Sequence, residues 1–197
     1  MKVQVIIGST RPERVSDKLA LWVANEARKL NDTDVDVVDL LEYELPFLDE
    51  SISPQYNPNR SPNAQAQKWL NKLAEADAYV LVTPEYNRST SGALKNALDF
   101  IDFQLAKKPI ALVGHGSTGG AQAIAHLRGI IPGLQAVSVP NAVYFIGRVA
   151  GMVDVSGNLV DQAIAANPYG PQAALKQALD QLKWYSDALS EARSKDA

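Results

Sequence analysis

The sequence predicts a doubly wound α/β domain built on a mainly parallel, five-stranded sheet. Two observations predict it. Residues 3–7, 78–82 and 109–113 are short, nearly continuous apolar runs, the pattern of strands buried on both faces. Segments of helical periodicity alternate with these runs, which implies right-handed crossovers between parallel strands. Composition agrees: 46% apolar and 21% charged residues suit a chain that buries a core, neither disordered nor membrane-built. At 197 residues the length fits a single domain over residues 1–197.

The elements follow in order. Residues 3–7 end at Gly8, and residues 16–30 then place Leu19, Trp22, Val23, Ala27 and Leu30 on one helical stripe. A second strand is expected over residues 35–40. Residues 44–63 carry Pro46, Pro54, Pro58 and Pro62 and form the longest loop, a solvated connection or a lid or partner contact. Residues 64–75 are helical, with Trp69, Leu70 and Leu73 on the apolar face, and lead into the strand 78–82. A helix over 91–103, the strand 109–113, a helix over 120–131, a fifth strand over 134–139 and a closing helix over 172–192 complete the alternation. Ser156-Gly157-Asn158 is expected to turn a small hairpin within residues 153–160.

The absence of cysteine excludes disulfides, thiolate metal sites, iron–sulfur clusters and a cysteine nucleophile. No run approaches the roughly 18 apolar residues of a membrane span, and the first residues enter a strand pattern without a signal-peptide region. A cytoplasmic location with no membrane partner is therefore expected. A net charge of −3 argues against a general nucleic-acid binder. Between Phe103 and Val153 there is no acid, and Lys107, Lys108, Arg128 and Arg148 are the ionic residues. That stretch is either buried core or an anion-attracting face, and burial is the ordinary reason for missing charge.

In a doubly wound sheet, ligands bind at the carboxyl ends of the strands. Gly8-Ser9-Thr10-Arg11-Pro12-Glu13-Arg14-Val15-Ser16 leaves the first strand and opens a helix, where free amides and the helix dipole favour a phosphate. Ser9 and Ser16 offer hydroxyls, and Arg11 or Arg14 offers bidentate charge. The spacing of a nucleotide-triphosphate loop is missing, so a single terminal phosphate fits better. Equally, Ser16 can be an N-cap and both arginines solvated. After the third strand, Thr83-Pro84-Glu85-Tyr86-Asn87 brings an aromatic and an amide to the same edge. Pro84 fixes the backbone, Tyr86 can lie against a flat ring, and Asn87 can pair with a heterocycle edge. The alternative is an ordinary turn with Ser91 capping the next helix.

Gly114-His115-Gly116-Ser117-Thr118-Gly119 matches G-x-G-x-x-G formally, but it follows the fourth strand and lacks the acid about twenty residues on that ribose recognition needs. A glycine-rich loop there still lets backbone N–H groups approach a ligand. His115 and His126 have the spacing of no zinc motif, and His126 reads as an ordinary helix residue. No G-x-S-x-G elbow surrounds Ser117, so a hydrolase lacks its nucleophile turn.

Taken together, these loops resemble the NAD(P)H-dependent FMN reductases, a flavodoxin-like family that includes quinone, azo-dye and chromate reductases. The resemblance spans about residues 2–140. Its most specific part is Val82-Thr83-Pro84-Glu85-Tyr86-Asn87 with Ser91-Gly92-Ala93-Leu94-Lys95-Asn96-Ala97-Leu98-Asp99. Gly8-Ser9-Thr10-Arg11 is similar to the family's phosphate loop, although Arg14-Val15-Ser16-Asp17 departs from its usual continuation. The resemblance implies strand order 2-1-3-4-5 and bound FMN. Ser9, Arg11, Arg14 and Ser16 would lie near the phosphate, and Pro84, Glu85, Tyr86 and Asn87 beside the isoalloxazine. Gly116, Ser117, Gly119 and Gly120 would line the ring's other side through the backbone, with His115 nearby. It also implies NADPH or NADH as donor, a small-molecule acceptor, a homodimer or homotetramer, and a ping-pong exchange carried by the flavin without a catalytic side chain. A flavodoxin-type electron carrier is the competing expectation, which −3 and two loop arginines fit poorly. A phosphoacceptor domain would need an aspartate where Thr83-Pro84 stands.

Overall fold

The first apolar run becomes the middle of the sheet. In the computed structural model, which describes residues 1–147, 149–160 and 162–196, β1 (Lys2–Ile7) lies between β2 (Asp34–Asp39) and β3 (Ala78–Pro84). Beyond β3 come β4 (Pro109–Gly116) and β5 (Val137–Ile146), giving the order β2-β1-β3-β4-β5 with every pairing parallel. This is the expected doubly wound, flavodoxin-like arrangement. Arg148 lies outside the described residues.

Side chains alternate across the sheet and build two cores. Val3, Val5 and Ile7 point to the face covered by α1 (Ser16–Ala27) and α6 (Pro171–Asp196), while Ile6 points to the face covered by α2 (Ala64–Ala74), α3 (Gly92–Asp99) and α4 (Ala121–Ile130). A short α5 (Gln162–Ala166) precedes α6. Asn63 caps α2 by accepting the Ala66 N–H at 2.8 Å, and Ser91 caps α3 by accepting the Leu94 N–H at 3.0 Å. Ser16 instead enters α1 as its first residue, because its hydroxyl is used elsewhere.

Several boundaries differ from expectation. Helix α1 stops at Ala27, since Lys29 and Leu30 close tighter turns onto Glu26 and Ala27. Helix α3 stops at Asp99, because Asp102 folds back to accept the Phe103 N–H and pairs with Arg60. The largest correction concerns β5, expected over 134–139. A 3-10 turn occupies Ile131–Leu134, Gln135 is left-handed at φ 57°, and β5 then runs ten residues through Pro140. An edge strand tolerates that proline where the register against β4 shifts, between Ile110 and Leu112. The hairpin forms as expected, with Val153 bridging Leu159 and Gly157 left-handed at φ 79°.

The long loop, 44–63, is pinned down. Arg60, its side chain 6% exposed, spans Glu50 within the loop and Asp102 beyond α3. Asn96 of α3 accepts the Leu48 N–H and donates to the Pro46 carbonyl, and Gln55 donates to the Gly133 carbonyl. These bonds strap the loop along α3, away from the cleft described next.

Candidate functional site

The parallel register delivers Gly8, Asp39, Pro84 and Gly116 to one edge, where β2 and β3 diverge on either side of β1. Gly8 locks the first loop against β3: its N–H donates to the Val82 carbonyl at 2.8 Å, and a Cβ there would lie 2.6 Å from that oxygen. The Ser91 hydroxyl donates to the Gly8 carbonyl, so the start of α3 holds the loop from its other side.

Within that loop the two arginines have different surroundings. Arg14 donates to the Ser9 carbonyl at 2.6 Å and makes a bidentate pair with Asp39 at the end of β2. Its guanidinium shapes the loop. Arg11 is exposed, and no side chain or carbonyl among the described residues engages its guanidinium. Ser9 is fully buried, and its Oγ lies 3.3 Å from the Tyr86 hydroxyl, joining the first loop to the loop after β3.

A cleft of about 220 Å³ lies where the loops meet, lined by Arg11, Arg14, Ser16, Glu85, Tyr86 and His115 together with Glu13, Val15, Pro84 and Gly116. Ser16 Oγ and His115 Nε2 are 2.8 Å apart, and both side chains are buried. Burial pushes the His115 imidazole down to about 4, so it is neutral at physiological pH. Of the other strongly shifted groups, Tyr79 and Lys108 are packed together near the start of β4, at the opposite edge, and Lys72 is raised on α2 by its hydrogen bonds to Asp36 and Glu75.

After β3 the chain makes a tight reversal. Tyr86 and Ser89 exchange backbone hydrogen bonds of 2.9 and 3.0 Å, with Asn87 and Arg88 both left-handed between them. Asn87 is exposed at the tip of this turn. Glu85 reaches the other way. It accepts the Thr118 hydroxyl and the Gln122 N–H, each at 3.0 Å, and so caps α4, whose own N-cap is a glycine.

The glycine loop divides by role. Gly116 borders the cleft with φ 142°. Gly119 and Gly120 are needed by the packing against the sheet: a Cβ would meet Ile146 at 2.9 Å in the first case and the Gly114 backbone at 2.6 Å in the second. Ser117 is exposed and lies outside the lining. His126, on the exposed side of α4, meets Ser89 at 2.5 Å. Of the described cations of the acid-free stretch, Lys108 sits over the Tyr79 ring and Arg128 donates to the Pro140 carbonyl, both away from the cleft, and β4 is buried almost throughout.

Asp39, Glu13 and Val15 were not expected at the site. Asp39 was legible in principle, since an acid ending β2 beside a strand-end loop with two arginines is an available ion-pair partner.

Residues 1–151 match the family described as NADPH-dependent FMN reductase. An NAD(P)H-dependent FMN reductase of Schizosaccharomyces pombe is 31% identical over 166 residues, 80% of this chain and 83% of that protein. A 2-hydroxy-1,4-benzoquinone reductase of Burkholderia sp. is 33% identical over 169 residues, covering 82% and 87%. Among solved structures, the flavoenzyme NAD(P)H:(acceptor) oxidoreductase FerB of Paracoccus denitrificans shares the fold at TM-score 0.71 and 24% identity, over 93% of this chain and 98% of that one. With the strand order, the edge loops and these matches in agreement, the chain belongs to the NADPH-dependent FMN reductase family, an oxidoreductase family that works with FMN and NAD(P)H.

Proposed function

We propose that this chain, folded as one domain, oxidises NADH or NADPH through FMN held at the carboxyl edge and passes the electrons by a ping-pong mechanism to a quinone, azo compound, free flavin or metal-ion acceptor. The observation that carries the reading is the meeting of the loops after β1, β3 and β4 on one cleft. The donor set fits FMN. Ser16, the unengaged Arg11 guanidinium and the first-turn amides of α1 border the cleft in a combination suited to a phosphate, while the buried Ser9 hydroxyl accepts the Arg11 N–H and holds the loop. Pro84, Tyr86, neutral His115 and Gly116 border the same cleft and give it an uncharged surface for a flat ring.

Bound FMN supplies a ring that takes two electrons from a nicotinamide and gives them to an acceptor. The protein's task is placement. Arg14, tied to Asp39, sets the path of the phosphate loop, and Arg11, bordering the cleft, would hold the anion. Glu85 fixes the ring loop to α4, and Ser16 keeps the His115 ring in one orientation, with no side chain needed as acid or base. A homodimer or homotetramer in the cytoplasm is the setting this reading expects.

The test is direct. Protein loaded with FMN and mixed anaerobically with NADPH or NADH should bleach its visible flavin bands, and an unchanged spectrum with both donors would sink the proposal.

A further inference from the structure

A second cavity lies one strand over from the cofactor cleft. It encloses about 390 Å³ against the end of β5 and the start of α6, and Tyr144, Phe145, Ile146, Met152, Tyr169 and Pro171 make most of its wall. None of its described lining residues carries a charge, and its one side-chain amide, Asn167, already accepts the Tyr169 N–H at 2.9 Å. Large apolar side chains stand exposed beside it: Tyr169 is 95% exposed and Ile146 67%. An exposed apolar group of this kind, folded into a concavity of ligand size, is the ordinary form of a binding site for an apolar molecule.

Its position says which molecule. In the β4–β5 register Phe145 pairs with His115 and Ile146 with Gly116. Phe145 and Ile146 line this cavity, while His115 and Gly116 line the cofactor cleft. One strand spacing, about 4.8 Å, therefore separates the backbones that carry the two walls. The Gly147 N–H donates to the Gly116 carbonyl at 3.2 Å, and Gly119 is packed beneath Tyr144 and Ile146, so the glycine loop is the ridge between them. A flat molecule of two fused or linked rings is long enough to cross that ridge.

We propose that the cavity beside β5 holds the distal ring of a two-ring aromatic electron acceptor whose proximal ring reaches the cofactor cleft. This rests on the oxidoreductase reading above. Tyr144 and Tyr169 offer aromatic faces and Ile146 an apolar edge, which favours an uncharged aryl ring over a sugar, a phosphate or a metal ion. A one-ring acceptor has no portion to place there.

The test compares 2-methyl-1,4-naphthoquinone with 1,4-benzoquinone, using FMN-loaded protein and the variants Tyr169→Ala and Ile146→Ser. Both side chains are largely exposed, so the variants should fold, which thermal melting verifies. Each substitution should raise the ratio of KM for the naphthoquinone to KM for the benzoquinone about tenfold. Equilibrium dialysis of naphthoquinone without nicotinamide should show the same weakening of Kd. Unchanged ratios and unchanged Kd in folded variants that still bleach with NADPH would overturn the acceptor site alone. Failure of the unsubstituted protein to bleach would overturn the oxidoreductase reading, while the dialysis would still report on the cavity. A change of sedimentation in either variant without a change in naphthoquinone Kd would also overturn the proposal and assign the face to a second copy of the chain.

Discussion

The Glu85 carboxylate accepts the Gln122 backbone N–H at 3.0 Å, so the loop after β3 caps the helix after β4. A capping carboxylate normally belongs to the helix's own chain segment. Here it ties two walls of the candidate site together. Glu85→Ala should cost about 1 kcal/mol of stability, measured by urea unfolding, and weaken FMN binding several-fold in a fluorescence titration. Glu85→Gln keeps an acceptor oxygen and should recover most of both. Equal effects of the two variants would show that the cap does not set the loops.

Arg11 and Arg14 should separate in a titration of FMN against salt. Arg11→Ala removes an unengaged guanidinium, so affinity and its salt dependence should fall while the melting temperature stays nearly constant. Arg14→Ala and Asp39→Ala each break the same part-buried pair. Both should lower stability as well as affinity, and the double variant should be no worse than either single one. An additive double variant would mean that Arg14 acts on the phosphate independently of Asp39.

His115 makes the fold sensitive to acid. Its pKa falls from an ordinary 6.5 to about 4 in the folded chain because burial penalises the charged ring. Between those values the unfolded chain binds the extra proton, so this contribution to stability is complete above about pH 6.5 and is lost as pH falls toward 4. The total is on the order of 3 kcal/mol. In His115→Gln, whose amide can still reach Ser16 Oγ, the urea midpoint should change less between pH 7 and pH 4.5 than in the unsubstituted protein.

Arg60 should govern the long loop. Its guanidinium is nearly buried and is shared by Glu50 and Asp102, so removing it leaves two part-buried carboxylates without their cation. Arg60→Ala should lose about 3–5 kcal/mol and expose residues 44–63 to limited proteolysis. Flavin bleaching at a temperature where the variant stays folded should survive, since the loop runs along α3 and does not border the cleft.

The sheet was legible because buried parallel strands write themselves as apolar runs, as at residues 78–82 and 109–113. The fifth strand was misplaced because Leu134 and Ala136 belong to a compact apolar turn, while the true strand carries Pro140 and the exposed Tyr144 and Ile146. Edge strands lack the double burial that makes the others readable. At the site, the loops were found by their place at strand ends, but the difference between Arg11 and Arg14 was not readable. It depends on Asp39, which is distant in sequence and becomes adjacent only through the pairing of β1 with β2. Nor was it readable that neighbouring strands occupy the space a side chain at Gly119 or Gly120 would need.

The closing helix has a consequence for how the chain folds as it is made. Leu175, Leu179 and Leu182 of α6 cover Ala111, Val113, Val139, Val143 and Phe145 on one face of the sheet. Those strand residues emerge from the ribosome well before the leucines do. During synthesis β4 and β5 therefore present a bare apolar surface until α6 has cleared the exit tunnel, and α1, which docks on the same face, cannot cover it alone. Chaperone capture and premature self-association are expected to fall in that interval, and the docking of α6 ends it.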